Sequence, residues 1–150
     1  MTEDQYACLK LENQVCFPLY ACAKEIVRRY RPMLDELDIT YTQYIAMMVL
    51  WEQGSSSVNS LGDRLFLDSG TLSPMLKNLE AKGYVTRNRS KEDERTLIVS
   101  VTPKGMELRD RALSVPGKIA TCVNLSPEKG KLLYDLLYEI LGQLSAEEKK

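Results

Sequence analysis

Apolar positions in the first quarter of the chain step by threes and fours. Tyr20, Ala23, Val27, Tyr30, Leu34 and Leu37 form such a series, which predicts a helix from about Phe17 to Leu37 with a stripe of coiled-coil spacing. Pro18 fits its first turn, where a missing N–H does no harm. Pro32 lies inside the pattern and is expected to bend or interrupt it. A second helix is predicted from Thr40, because Thr40 and Gln43 have the T-x-x-Q spacing of a capping box. Tyr41, Tyr44, Ile45, Met48 and Val49 recur on its inner face, and Gly54 with the serines after it ends it. Val58, Leu61 and Leu65 mark a short third helix. Asp68-Ser69-Gly70 breaks that helix and starts a fourth, with Leu72, Leu76 and Leu79 inward and a stop at Gly83.

The period then falls to two. Leu97, Val99 and Val101 alternate with Thr96, Ile98 and Ser100, and Tyr84 to Arg89 supplies a partner strand across the charged tip Ser90-Lys91-Glu92-Asp93-Glu94. This is the pattern of a β-hairpin. Thr102-Pro103 and Ser126-Pro127-Glu128 each read as a helix start, and Pro116-Gly117 as a break between them. The last helix carries Leu133, Leu136, Leu137, Ile140, Leu141 and Leu144 on one face. The order describes a mainly α fold with a small β-wing, a winged helix-turn-helix flanked by long terminal helices. A small winged domain cannot bury the apolar faces of both terminal helices, so packing against a second copy is the simplest solution. A monomeric helical domain with a stray hairpin is the plain alternative.

Composition narrows the chemistry. The chain has 150 residues, 44% hydrophobic and 27% charged, which supports a packed core. The apolar run from Ile45 to Leu50 is too short to span a bilayer, and the first twenty residues lack a signal-peptide core, so no membrane association and a cytoplasmic location are expected. There is no histidine, which excludes Ser-His-Asp and Cys-His catalysis and histidine-containing metal sites. None of the four cysteines, Cys8, Cys16, Cys22 and Cys122, forms a C-x-x-C pair. No cofactor is expected. Net charge is −1, but from Thr71 to Lys91 five bases (Lys77, Lys82, Arg87, Arg89, Lys91) face one acid, Glu80, while acids gather at Glu3, Asp4, Asp35, Glu36 and Asp38.

That local excess points to nucleic acid. The fourth helix opens Asp68-Ser69-Gly70-Thr71-Leu72-Ser73-Pro74, whose short polar side chains suit base edges or phosphates in a major groove. Lys77 would touch backbone. Ser69 and Thr71 as mere helix caps is the bland reading. Arg87, Arg89, Lys91 and Arg95 sit on or near the hairpin tip, where arginine reads the width of a minor groove. Asp93 and Arg95 are expected to pair across the turn, and a solvated charged hairpin is the alternative. Cys16 lies just before the first long helix, where the dipole favours thiolate, and Tyr20 at i+4 can share its side of the helix. A thiolate held by phenols is a nucleophile for a peroxide O–O bond; a small buried hydrophobe is the ordinary fate of a free cysteine. Eight tyrosines against two phenylalanines suggest a polar pocket rather than plain core, because buried phenols need partners.

Several blocks together are more specific than any of these motifs: Leu11-Glu12-Asn13-Gln14-Val15-Cys16-Phe17, Tyr30-Arg31-Pro32-Met33-Leu34, Ile39-Thr40-Tyr41-Thr42-Gln43-Tyr44, Leu50-Trp51-Glu52, Leu67-Asp68-Ser69-Gly70-Thr71-Leu72 and Glu92-Asp93-Glu94-Arg95. Across about Leu11 to Lys104 the chain resembles the MarR family of winged-helix repressors, and within it the OhrR-type organic hydroperoxide sensors. The resemblance implies a homodimer that represses by binding a palindromic double-stranded operator. It implies a helical dimerisation region over 1–38 and 104–150 around a DNA-binding lobe over 39–103. Cys16 stands where that family has its redox sensor. Tyr20, Tyr30 and Tyr41 match the tyrosines around it, the latter two contributed by the partner subunit. Cys122 lies where some members carry a second cysteine that closes an intersubunit disulfide; a buried thiol is the alternative there. Pro18 departs from the family pattern, in which an ordinary apolar residue is expected. Three other functions are weighed: a repressor released by a small phenolic ligand in the tyrosine-lined pocket, a thiol peroxidase that turns over, and a regulator of broader redox or virulence genes that uses the same thiol chemistry.

Overall fold

The computed structural model describes residues 3–148. Two short 3-10 segments, Glu3–Leu9 and Leu11–Asn13, precede α1 (Cys16–Glu36), α2 (Tyr41–Gln53), β1 (Ser55–Ser57), α3 (Val58–Leu65), α4 (Ser69–Ala81), β2 (Val85–Arg89), β3 (Leu97–Val101), α5 (Pro103–Ala112), α6 (Val115–Ala120) and α7 (Pro127–Glu147). The chain forms two compact units, residues 1–116 and 117–150. Among the described residues no helix is long and apolar enough to cross a membrane.

In the first unit α2 is the hub, packed by α1, α3, α4, α5 and the sheet. Its capping box is complete: Thr40 Oγ1 accepts from the Gln43 N–H, and Gln43 Oε1 accepts from the Thr40 N–H. Because neighbours surround it, burial is not confined to one face. Tyr44, Ala46, Met47, Val49 and Leu50 are all buried, whereas Met48, expected inward, is exposed. A helix enclosed on most sides loses the amphipathic signature that the spacing argument relies on.

Two prolines behave differently from expectation. Helix α1 continues through Pro32. The lost N–H and the ring clash ordinarily cost about 3 kcal/mol; here the last turn is anchored by buried Leu34 and Leu37 and closed by the Ile39 N–H on the Leu34 carbonyl at 3.1 Å. Near Pro116-Gly117 the break falls earlier, at Leu113-Ser114, and both residues lie inside α6. Cys16, expected just ahead of the first helix, is its first residue.

The sheet has three strands in the order β1-β3-β2, all antiparallel. The expected hairpin is present, and its register sets Arg87 opposite Val99 and Arg89 opposite Leu97. Strand β1 was not expected. Three serines carry no strand propensity, but Ser56 lies opposite Val99 on the other side of β3, and the Val101 N–H bonds the Gly54 carbonyl at 3.0 Å. The pairing comes from the partner strand, not from β1 itself.

Helix α5 closes the unit. Thr102 Oγ1 donates to the Gly83 carbonyl at 2.6 Å and accepts from the Gly105 N–H at 3.0 Å. Trp51 Nε1 donates to the Gly105 carbonyl at 2.8 Å. This approach leaves no room at Gly105: a Cβ there would stand 2.2 Å from the Tyr84 carbonyl oxygen. In the second unit, Ser126 caps α7 by accepting from the Lys129 N–H, and α7 exposes Leu132, Leu133, Leu136, Ile140 and Leu144.

Gly105→Ala is expected to lower unfolding stability by about 1–3 kcal/mol, the usual range for forcing extra atoms into a packed interior. Urea unfolding followed by the fluorescence of Trp51 checks this.

Candidate functional site

Helix α4 presents a clean division. Leu72, Met75, Leu76 and Leu79 are buried, which turns Ser69, Thr71, Ser73, Pro74 and Lys77 outward, all exposed. The cap is Asp68 rather than Ser69 or Thr71. Its Oδ1 accepts from the Thr71 N–H at 2.7 Å, and this bond holds the carboxyl below the usual range. Ser69 occupies the first helical position. The helix therefore offers a row of short hydroxyl side chains beside its positive dipole end, an arrangement suited to phosphate and base edges.

The wing divides its arginines between two tasks. Arg87 is turned inward: its Nε and one terminal nitrogen donate to Glu80 Oε2 at 3.0 and 2.8 Å, and its backbone N–H donates to Glu80 Oε1 at 3.0 Å. A guanidinium held this way fastens β2 to α4. Glu80, the lone acid of the basic stretch, had no assigned role; its being alone among five bases was the available signal. At the tip, Asp93 shapes the turn through the Arg95 N–H at 3.0 Å and the Thr96 hydroxyl at 3.3 Å. The expected charge pair between Asp93 and the Arg95 side chain is absent among the described residues. Arg89, Lys91 and Arg95 are exposed.

The thiols and phenols are laid out along α1. Cys16 is exposed at its first position, and Tyr20, one turn on, is 64% exposed with Lys24 Nζ 5.7 Å from its ring centre. Tyr30 instead joins Tyr41 and Tyr44, with ring centres 4.9 and 5.8 Å away. Burial pushes all three phenols up from their ordinary value, and at Tyr30 the neighbouring phenols add to it. Each remains an O–H donor at neutral pH. From Cys16 to Tyr30 the helix rises about 21 Å, at about 1.5 Å per residue. One chain therefore does not bring the sulfur to this cluster. Cys122, in the other unit, is exposed beyond α6, its thiol 3.7 Å from the Lys118 carbonyl. Among the described residues no group of three Cys, Asp or Glu could hold a metal ion.

The profile of the family described as Transcriptional regulator SarA/Rot matches residues 28–112, from the middle of α1 to the end of α5. The chain belongs to the SarA/Rot family of transcriptional regulators. It is 46% identical over 142 residues to the organic hydroperoxide resistance transcriptional regulator of Bacillus subtilis (strain 168), covering 95% of this chain and 97% of that one. Reduced AbfR bound to DNA, a protein of Staphylococcus epidermidis, matches with a TM-score of 0.77 at 33% identity, over 95% of this chain and 99% of that one. Disulfide-formed AbfR matches with a TM-score of 0.64, also at 33% identity, over 94% and 99%. The expected likeness to MarR-type winged-helix regulators thus holds for this SarA/Rot member, and the thiol-peroxidase alternative gives way to a regulator. The family profile begins after Cys16 and ends before Cys122, so it covers the winged lobe and leaves both thiols outside.

Glu80 sits below its ordinary value chiefly because the Arg87 side chain donates to its carboxylate. Its contribution to stability is present above the ordinary carboxylate range and fades as pH falls through the lowered value. Glu80→Gln is expected to flatten the acid limb of the stability profile below about pH 4.5, measured by thermal melts across pH.

Proposed function

We propose that this regulator is a hydroperoxide-responsive repressor. As a homodimer it grips a palindromic operator through α4 and the wing, and it lets go when an organic hydroperoxide oxidises Cys16. One observation carries the reading: an exposed cysteine opens α1, and a cluster of proton-bearing phenols lies about 21 Å further along that same helix. A second copy running antiparallel across α1 is what unites sulfur and phenols. The apolar residues left exposed on α1, among them Phe17, Leu19, Tyr20 and Val27, and those of α7 supply surface for such a partner. The name of the Bacillus relative and the reduced and disulfide-formed states of AbfR support the same chemistry.

The thiolate attacks the terminal peroxide oxygen. An S–O bond forms, the O–O bond breaks, and the alkoxide leaves as an alcohol after taking a proton; sulfur loses two electrons and the peroxide gains them. Tyr20 of the same chain and Tyr30 and Tyr41 of the partner subunit are the phenols proposed to hold the thiolate. The resulting sulfenic acid condenses with the Cys122 thiol of the partner to give a disulfide and water. On DNA, α4 enters the major groove with Asp68, Ser69, Thr71, Ser73 and Pro74 at its leading end and Lys77 on the backbone. Arg89, Lys91 and Arg95 reach the minor groove with Asp93 setting the tip. A two-fold dimer places its recognition helices about 34–36 Å apart, so a small shift of the lobes loses base contacts at about 1–3 kcal/mol each on both sides at once. The protein would work in the cytoplasm, beside the DNA it reads.

A gel shift on the gene's own upstream region, with and without cumene hydroperoxide and followed by intact mass under non-reducing conditions, tests the reading. Cys16→Ser is expected to bind operator as the parent does and to stay bound under peroxide; release of that variant would remove Cys16 from the mechanism. Arg95→Ala is expected to weaken operator binding and to reduce the slope of log K against log salt by about 1. Arg87→Ala is expected to act mainly through a lower melting temperature. Binding titrations at several salt concentrations, beside thermal melts, separate the two.

A further inference from the structure

The recognition helix is tied to the tyrosine cluster by a hydrogen bond that neither the fold nor the DNA reading requires. Gln43 lies between Tyr41 and Tyr44 in the first turn of α2 and is only 4% exposed. Its Oε1 accepts from the Thr40 N–H at 3.0 Å, and its Nε2 crosses to α4 and donates to Asn78 Oδ1 at 2.8 Å. At the C-terminal cap of α4, Lys82 donates to the Asp38 carbonyl and lies 3.3 Å from the Asp38 carboxylate. Asp38 stands in the elbow between α1 and α2 at a φ of +55°, a conformation that few non-glycine residues hold without support. Two polar contacts thus fasten the last turns of α4 to the same elbow that carries Tyr41 and Tyr44.

We propose that Gln43 and Asn78 are positioning residues. Through them, the arrangement of Tyr30, Tyr41 and Tyr44 sets the placement of α4, so that a change at the phenols reaches the recognition helix. This rests on the hydroperoxide reading above and adds the route by which oxidation is felt. Gln43 makes the direct link: when the first turn of α2 shifts, its side-chain amide shifts with Tyr41 and Tyr44. The groove beside the bond, about 420 Å³ and lined by Asp35, Asp38, Ile39, Thr40, Gln43, Asn78 and Lys82, lets water solvate the Gln43 amide when Asn78 is truncated. Loss of the bond therefore weakens the coupling of the elements without unfolding the lobe.

Asn78→Ala provides the test, read as the ratio of operator affinities before and after cumene hydroperoxide. Cys16 oxidation, followed by intact mass, is expected to run at the parental rate. Reduced-state affinity should stay within about threefold of the parent, while the ratio falls at least about fivefold, within the usual span of coupling between sites. Gln43→Glu keeps an oxygen for the Thr40 N–H and accepts from a turned Asn78 amide, and is expected to retain the parental ratio. A parental ratio in Asn78→Ala overturns the link. A parent that peroxide does not release counts instead against the hydroperoxide reading, and takes the link with it.

Discussion

At about 1.5 Å per residue, the helix between Cys16 and Tyr30 is a spacer that side-chain motion cannot close. Pro32 lies beyond this span, in the last turns of α1, which buried Leu34 and Leu37 anchor. The unbroken helix between them therefore keeps Cys16 apart from Tyr30 and its cluster within one chain. Chemistry that needs both belongs to a pair of chains, which ties the proposed redox response to assembly. A monomer would carry the parts of a sensor and have none assembled.

The DNA-facing half obeys a different constraint. Four buried side chains on one side of α4 fix which hydroxyls face out, and Glu80, on the same helix, reaches across to hold Arg87 of the wing. Helix and wing are thus one surface rather than two appendages. Arg89 and Arg95, beyond that clamp, are exposed. A basic stretch in a sequence is consequently a mixture of paired and exposed cations, and the acid within it marks the paired one.

Much of this was legible beforehand where the cause is local. Thr40, Asp68, Thr102 and Ser126 each cap the helix after them through an N–H three residues on, an interaction that needs nothing beyond its own segment. The inner row of α4 and the two strands of the hairpin followed from periodicity for the same reason. What escaped depends on distant partners. Strand β1 exists because β3 has a second free edge. Met47 rather than Met48 is buried because α2 is enclosed by elements that lie far along the chain. Gln43 was legible as half of a capping box but not as the partner of Asn78, and Arg87 read as a free cation until Glu80 was seen beside it. The thiols follow the same rule in stronger form: their placement at exposed positions is visible in one chain, and, Tyr20 apart, their proposed partners lie in another.

The unexpected strand also bears on how the protein behaves when crowded. Both margins of the three-stranded sheet are short and polar: Ser55–Ser57 along one side, and Val85–Arg89 with Thr86, Asn88 and Arg89 exposed along the other. An open sheet margin invites a neighbouring strand to add on, and short, charged or hydroxyl-rich margins discourage it. Self-association of this chain is thereby steered toward its helices, and the sheet can sit beside other proteins without seeding fibres.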